Sequence, residues 1–274
     1  NGTDFFYTNP LRVSESAPVE LRWSRTRVPF VTSFCCPPNV ARTIADVSGY
    51  AYGKSDKTIW VNLYGSNTLD TRLANGSRVR LEQRTEYPWD GNVQITIAEC
   101  SVEPIELKLR IPGWATSATL TVDGESITVE LTPGTYASLE RIWQPGTVIE
   151  LDIAMPPQLI ESHPLVEETR NQLAVKRGPI VYCLESVDLP AGTSLADVRI
   201  PADVKLQSRF EANLLDGVSI LEGDAVASKT GDWQNNLYRE FKRSESTAIS
   251  VRFIPYYTWS NRGKAEMSVW LPLN

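Results

Sequence analysis

Two adjacent thiols, Cys35 and Cys36, are the residues of this chain best suited by type and spacing to do chemistry. They stand in Ser33-Phe34-Cys35-Cys36-Pro37-Pro38-Asn39. A cysteine thiolate is both a nucleophile and a zinc ligand. Consecutive Cα atoms lie about 3.8 Å apart, below the usual range for disulfides, so the neighbours are poor partners for a bridge. The prolines limit the local backbone, and a helix starting just after the pair would place its positive end near the sulfurs and favour their ionised form. A metal site, a reactive thiolate and an inert packed pair all remain open from these residues alone. Two sulfurs fill only half of a tetrahedral zinc shell.

No partner set for that shell is written nearby. The single histidine, His163, lies in a proline-rich transition and reads as a surface or packing residue. Glu99 and Cys100 are adjacent in an extended pattern, where neighbours point to opposite faces. Cys100 and Cys183 read as small apolar core side chains. Glu82, Glu86 and Asp90 read as solvated carboxylates. Trp23, Trp60, Trp89 and Trp114 read as packing aromatics, and Gly91, Gly124 and Gly231 as turn glycines that make no nucleotide-binding loop.

The elements that must hold the pair follow from periodicity. Residues 1–34 read as irregular, with short extended pieces. Val40, Ala41, Ile44, Ala45 and Val47 share a helical face, predicting a helix of about three turns that starts after the cysteines and stops at Gly49. From residue 56 the pattern turns to strands: 58–64, 78–84, 92–98, 105–111, 118–122, 136–142 and 148–153. Asp123-Gly124 marks a tight hairpin, with a return strand expected over 126–130. Met155-Pro156-Pro157 marks a break. Strand character returns at 172–176, 180–185, 248–254 and 266–271, with a weak stretch from Ser186 to Asp232. Three regions follow: 1–55, a first β-sandwich over 56–157 and a second over 158–274.

Bulk properties narrow the function. The 274 residues are 42% hydrophobic and carry a net charge of −6, from 33 acidic and 27 basic side chains. That size supports folded domains, and the charge argues against nonspecific nucleic-acid binding. No eighteen-residue apolar run is present, so no membrane partner is expected. Four cysteines are too few for a disulfide-dense secreted domain and favour a cytoplasmic location. Asn1 is an unusual start for a complete translation product, which suggests a fragment.

The whole constellation resembles the β-L-arabinofuranosidase family of glycoside hydrolases. The resemblance rests on Phe6-Tyr7-Thr8-Asn9-Pro10-Leu11, Cys35-Cys36-Pro37-Pro38-Asn39 with Arg42, and Tyr50 to Tyr52. It continues through Arg110-Ile111-Pro112-Gly113-Trp114 and Gly178-Pro179-Ile180-Val181-Tyr182 to Pro255-Tyr256-Tyr257-Thr258-Trp259-Ser260-Asn261-Arg262-Gly263 and Met267 to Leu271.

The resemblance implies a C-terminal portion of such an enzyme: a mainly β chain of two β-sandwiches, with residues 1–55 as the terminal segment of a catalytic α/α barrel. It implies Cys35 as nucleophile and zinc ligand, Cys36 as zinc ligand and Tyr7 as a sugar-pocket residue. Zinc is the implied cofactor, and β-L-arabinofuranosyl glycans or glycoconjugates are the substrates. The implied reaction is retaining hydrolysis of terminal β-L-arabinofuranosyl linkages through a cysteine thioglycosyl intermediate. The general acid and the other zinc ligands have no match here. They would come from missing upstream barrel sequence or a separate barrel-bearing chain, leaving this chain inactive alone; a homo-oligomer stays open. The alternatives are a noncatalytic carbohydrate-binding or assembly module and a degenerate glycosidase relative.

Overall fold

A computed structural model describes residues 2–14, 22–229, 236–240 and 245–274. Gly231 and the end of the weak stretch, 230–232, lie outside the described residues. The chain divides into two compact units. Asn1–Thr32 and Pro157–Asn274 form one; Ser33–Pro156 forms the other.

The Ser33–Pro156 unit opens with α1, Cys36–Asp46, which tightens into a 3-10 turn over Val47–Tyr50. The α-helix therefore ends three residues before the expected stop at Gly49, although its length matches the periodicity. Two sheets follow. One has four strands in the order Tyr136–Arg141, Ile105–Arg110, Thr58–Val61 and Tyr52–Lys54. The other has six, in the order Asn67–Arg72, Arg78–Thr85, Asn92–Glu99, Val148–Ile153, Ala118–Val122 and Glu125–Ser126.

Alternation drives this arrangement. Ile105, Leu107 and Leu109 on one sheet and Val93, Ile95 and Ile97 on the other are all buried in a single apolar cluster, while the intervening residues reach toward solvent. Fully burying each such side chain contributes about 1.5–3 kcal/mol. The hairpin at Asp123-Gly124 forms as expected, with φ of 52° and 80°. Its return strand is only Glu125–Ser126, shorter than the predicted 126–130.

In the other unit, the described residues form a branched ten-stranded sheet in place of the expected second sandwich. Its centre is Ile180–Glu185 beside Ser246–Pro255, which pairs in turn with Val218–Ser228. Separate apolar clusters form on it, one around Tyr182, Leu184 and Phe253, the other around Cys183, Ile254 and Trp259. Consecutive strand residues point to opposite faces, so Tyr182 and Cys183 enter different clusters. Residues 2–14 are less irregular than their sequence suggests: Arg12–Val13 pairs antiparallel with Met267–Ser268.

The expected terminal segment of an α/α barrel over residues 1–55 is overturned. Among the described residues the α-helix is confined to α1, and α1 buries none of its residues. A helical barrel needs further helices against which each apolar stripe can pack, and Val40, Ile44 and Val47 are instead exposed. No helix among the described residues is long and apolar enough to cross a membrane.

Candidate functional site

The start of α1 fixes the thiol pair. Cys35 is the N-cap residue, and its carbonyl accepts both the backbone N–H of Asn39 at 3.3 Å and the Asn39 side-chain amide at 3.0 Å. Arg42 donates to Oδ1 of Asn39, and the Thr43 hydroxyl donates to the Asn39 carbonyl at 2.8 Å. The first turn of the helix thus clamps the peptide that carries Cys35. Pro37 and Pro38 follow Cys36 in the first turn, where a missing N–H costs least.

The two sulfurs lie 3.4 Å apart, and both residues are exposed. The Ser33 hydroxyl is 3.5 Å from Cys35 Sγ. These contacts hold the Cys35 thiol below its ordinary pKa: hydrogen bonding from Ser33 is the largest cause, followed by Cys36, with the backbone amides of Cys36 and Cys35 adding less. An ordinary helix N-terminus offers several free amides to an anion. Here two are replaced by proline and that of Asn39 is committed to Cys35, so side chains carry more of the effect.

The geometry suits a shared metal in part. Two zinc–sulfur bonds of about 2.3 Å at a tetrahedral angle place the sulfurs about 3.8 Å apart, close to the separation found. The donors are soft and exposed. Among the described residues no group of three or more His, Cys, Asp or Glu side chains could hold a metal, so the pair supplies half a shell.

The remaining candidates are placed as follows. Tyr7 belongs to the other compact unit, where its ring stacks on Trp23 with centroids 3.9 Å apart. His163 is exposed, and its Nδ1 accepts the backbone N–H of Leu165 at 3.2 Å, closing a turn. The Cys100 thiol donates to the Trp143 carbonyl at 3.1 Å, and burial raises its pKa. Cys183 is fully buried, and burial pushes its thiol far up. Glu82 pairs with Arg80 at 3.0 Å, and Asp90 accepts the Asn92 amide at 3.0 Å in the turn that follows.

In the sequence Ser33 and Asn39 stand only as neighbours of the pair. Their roles are local: a hydroxyl two residues before the cysteine, and an amide four residues after it. That spacing was the available signal.

Comparisons with known proteins cover nearly the whole chain. Residues 1–49 match the model of the β-L-arabinofuranosidase GH127 catalytic domain, 58–155 the GH127 middle domain and 157–272 the glycoside hydrolase family 127 C-terminal domain. A non-reducing end β-L-arabinofuranosidase of Bifidobacterium longum is 33% identical over 98% of this chain and 42% of its own length. A solved structure described as a glycoside hydrolase superposes with a TM-score of 0.93 at 43% identity, covering 99% of this chain and 45% of that one. A GH127 β-L-arabinofuranosidase from Geobacillus stearothermophilus T6 superposes with a TM-score of 0.89 at 38% identity, over 100% of this chain and 43% of its own.

These matches overturn the expectation of a C-terminal portion alone, because the catalytic, middle and C-terminal models are met in order along the chain. The chain nonetheless spans less than half the length of these relatives.

Proposed function

We infer that this chain is part of a glycoside hydrolase family 127 enzyme and supplies the thiol nucleophile of a retaining β-L-arabinofuranosidase. The observation that carries the reading is the Cys35–Cys36 pair: exposed, 3.4 Å apart, fixed at a helix start and with Cys35 acidified by Ser33. The relatives' printed activity gives the substrate class, a terminal β-L-arabinofuranosyl group.

In this reading Cys35 Sγ attacks the anomeric carbon while a carboxylic acid protonates the departing glycosidic oxygen. The carbon–oxygen bond breaks and a thioglycosyl bond forms. Water then displaces the sulfur from the opposite face. Two inversions give net retention, as in retaining enzymes whose nucleophile is a carboxylate. The clamp from Asn39 and Arg42 holds Cys35 in place through both steps, and the Ser33 hydroxyl stabilises the sulfur anion before attack and after release.

Cys35 and Cys36 would hold a zinc ion, whose charge favours the ionised sulfur. The remaining metal donors and the general acid belong to parts of the complete enzyme that this chain does not match, so the chain alone does not turn over substrate.

The test compares the complete enzyme with its Cys35→Ser form on a β-L-arabinofuranoside, alongside mass spectrometry after rapid denaturation. The expected result is loss of turnover in Cys35→Ser and, in the parent, a pentosyl adduct on Cys35. Normal turnover of Cys35→Ser would end this reading.

A further inference from the structure

We propose that the Cys35–Cys36 pair is also an oxidative modification site, closed by hydrogen peroxide into a vicinal disulfide and reopened by a dithiol reductant. The chemistry rests on the geometry of the two thiols. Its consequence for turnover and metal retention rests on the function proposed above.

Both thiols are exposed and their sulfurs are 3.4 Å apart, so bond formation needs a closing movement of about 1.4 Å. Their chain's other two thiols are poorly placed to compete. Cys183 is fully buried, and Cys100 is bonded to a backbone carbonyl. The sulfur of Cys35 attacks one peroxide oxygen, the O–O bond breaks and the other oxygen leaves as water, giving a sulfenic acid. The sulfur of Cys36 then displaces the sulfenic oxygen, which leaves as a second water with the remaining thiol proton. Two thiols lose two electrons, and one peroxide is reduced to two waters.

The sequence adjacency that makes this pair a poor structural bridge makes it a reversible one. The Cα atoms of neighbouring residues are held at about 3.8 Å, short of the separation that disulfides prefer. Strained and exposed disulfides are the ones most readily reduced. Closure also stops oxidation short of the irreversible sulfinic and sulfonic acids, because the sulfenic acid is consumed by its neighbour. A single two-electron event thereby removes the nucleophile and both proposed metal donors.

The test exposes the reduced chain, in metal-stripped and zinc-loaded forms, to one equivalent of hydrogen peroxide, followed by alkylation and tryptic mapping. Cleavage after Arg27 and Arg42 isolates a peptide whose only cysteines are Cys35 and Cys36. In the stripped chain this peptide is expected to lose two hydrogen atoms and take up no alkyl group, both reversed by dithiothreitol. Cys36→Ser is expected to show no such loss and to carry a dimedone-trapped sulfenic acid at Cys35. Progressive oxygen addition without hydrogen loss, a link to another peptide, or full alkylation after peroxide would each overturn the proposal. In the zinc-loaded arm a coloured chelator should report metal release in step with closure. Closure in a chain that never retained zinc would leave this proposal standing and count against the metal role alone.

Discussion

Arg262 holds Glu185 with two guanidinium nitrogens, Nε at 3.1 Å and Nη2 at 2.5 Å, on a carboxylate that is 1% exposed. The same guanidinium also bonds Asp188 through Nη1 at 2.9 Å, and the second oxygen of Glu185 accepts the Ser260 amide at 2.6 Å. This network ties the 255–263 segment to the strand Ile180–Glu185. Removing the cation leaves Glu185 with the Ser260 amide and Asp188 with Arg252 at 4.0 Å, so most of the desolvation of two buried carboxylates is no longer offset. Arg262→Met is expected to lower the unfolding free energy by about 3–5 kcal/mol in denaturant titration. Arg262→Lys should recover only part, because an ammonium cannot reproduce the planar fork. An Arg262→Met chain of parental stability would show that the network contributes nothing net.

Gly91 lies against the strand Val148–Ile153, and Ile153 donates its amide to the Gly91 carbonyl at 3.0 Å. A Cβ at this position would fall 1.9 Å from the Ile153 carbonyl oxygen, a backbone atom that cannot swing aside. Gly91→Ala should therefore cost about 1–3 kcal/mol, read as a drop in melting temperature. An unchanged melting temperature would mean that the strand end moves away freely.

Gln83 is almost fully buried; its Nε2 bonds the Tyr52 hydroxyl at 2.5 Å, while its Oε1 has no hydrogen-bond partner. Tyr52→Phe leaves the amide wholly unsatisfied and should destabilise the chain by about 1–3 kcal/mol. Gln83→Leu removes the buried polar group, and the double variant should be more stable than Tyr52→Phe alone. Equal destabilisation of the single and double variants in urea would contradict this.

In the metal-free chain, Ser33→Ala should move the Cys35 alkylation profile to higher pH. The folded thiol pKa is depressed chiefly by Ser33, so its thiolate appears at lower pH than that of an ordinary cysteine. Deleting the hydroxyl returns the midpoint toward the ordinary value and slows reaction with iodoacetamide below it. The readout is the rate of label incorporation at Cys35 across pH. A profile that stays in place would show that Ser33 does not set it.

Much of the Ser33–Pro156 unit could be read from alternation. Arg78–Thr85, Asn92–Glu99 and Ile105–Arg110 each bury every second side chain, and that period is visible in the residues themselves. The eleven-residue strand Val218–Ser228 escaped because it is buried irregularly on both faces and carries Gly223 and Asp224 midway. Gly223 is required there by space: a Cβ would meet Leu206 at 2.9 Å and the Lys205 carbonyl at 3.0 Å. The pairing of Arg12–Val13 with Met267–Ser268 leaves no local mark, since it depends on residues more than 250 positions away. The thiol pair was legible as reactive chemistry, but the clamp by Asn39 and the contribution of Ser33 needed the helix start in three dimensions.

That distant pairing sets an order of events during synthesis. The Ser33–Pro156 unit is continuous and has all its strands once residue 156 has left the ribosome. The other unit is split around it and lacks the strand that receives Arg12–Val13 until residue 268 has been made. With translation at about 5–20 residues per second, the first segment waits roughly ten seconds or more for its partner. During that interval the thiol pair already sits in a finished unit, while Arg12–Val13 and Phe6, whose ring stacks on Trp259, have yet to meet their partners.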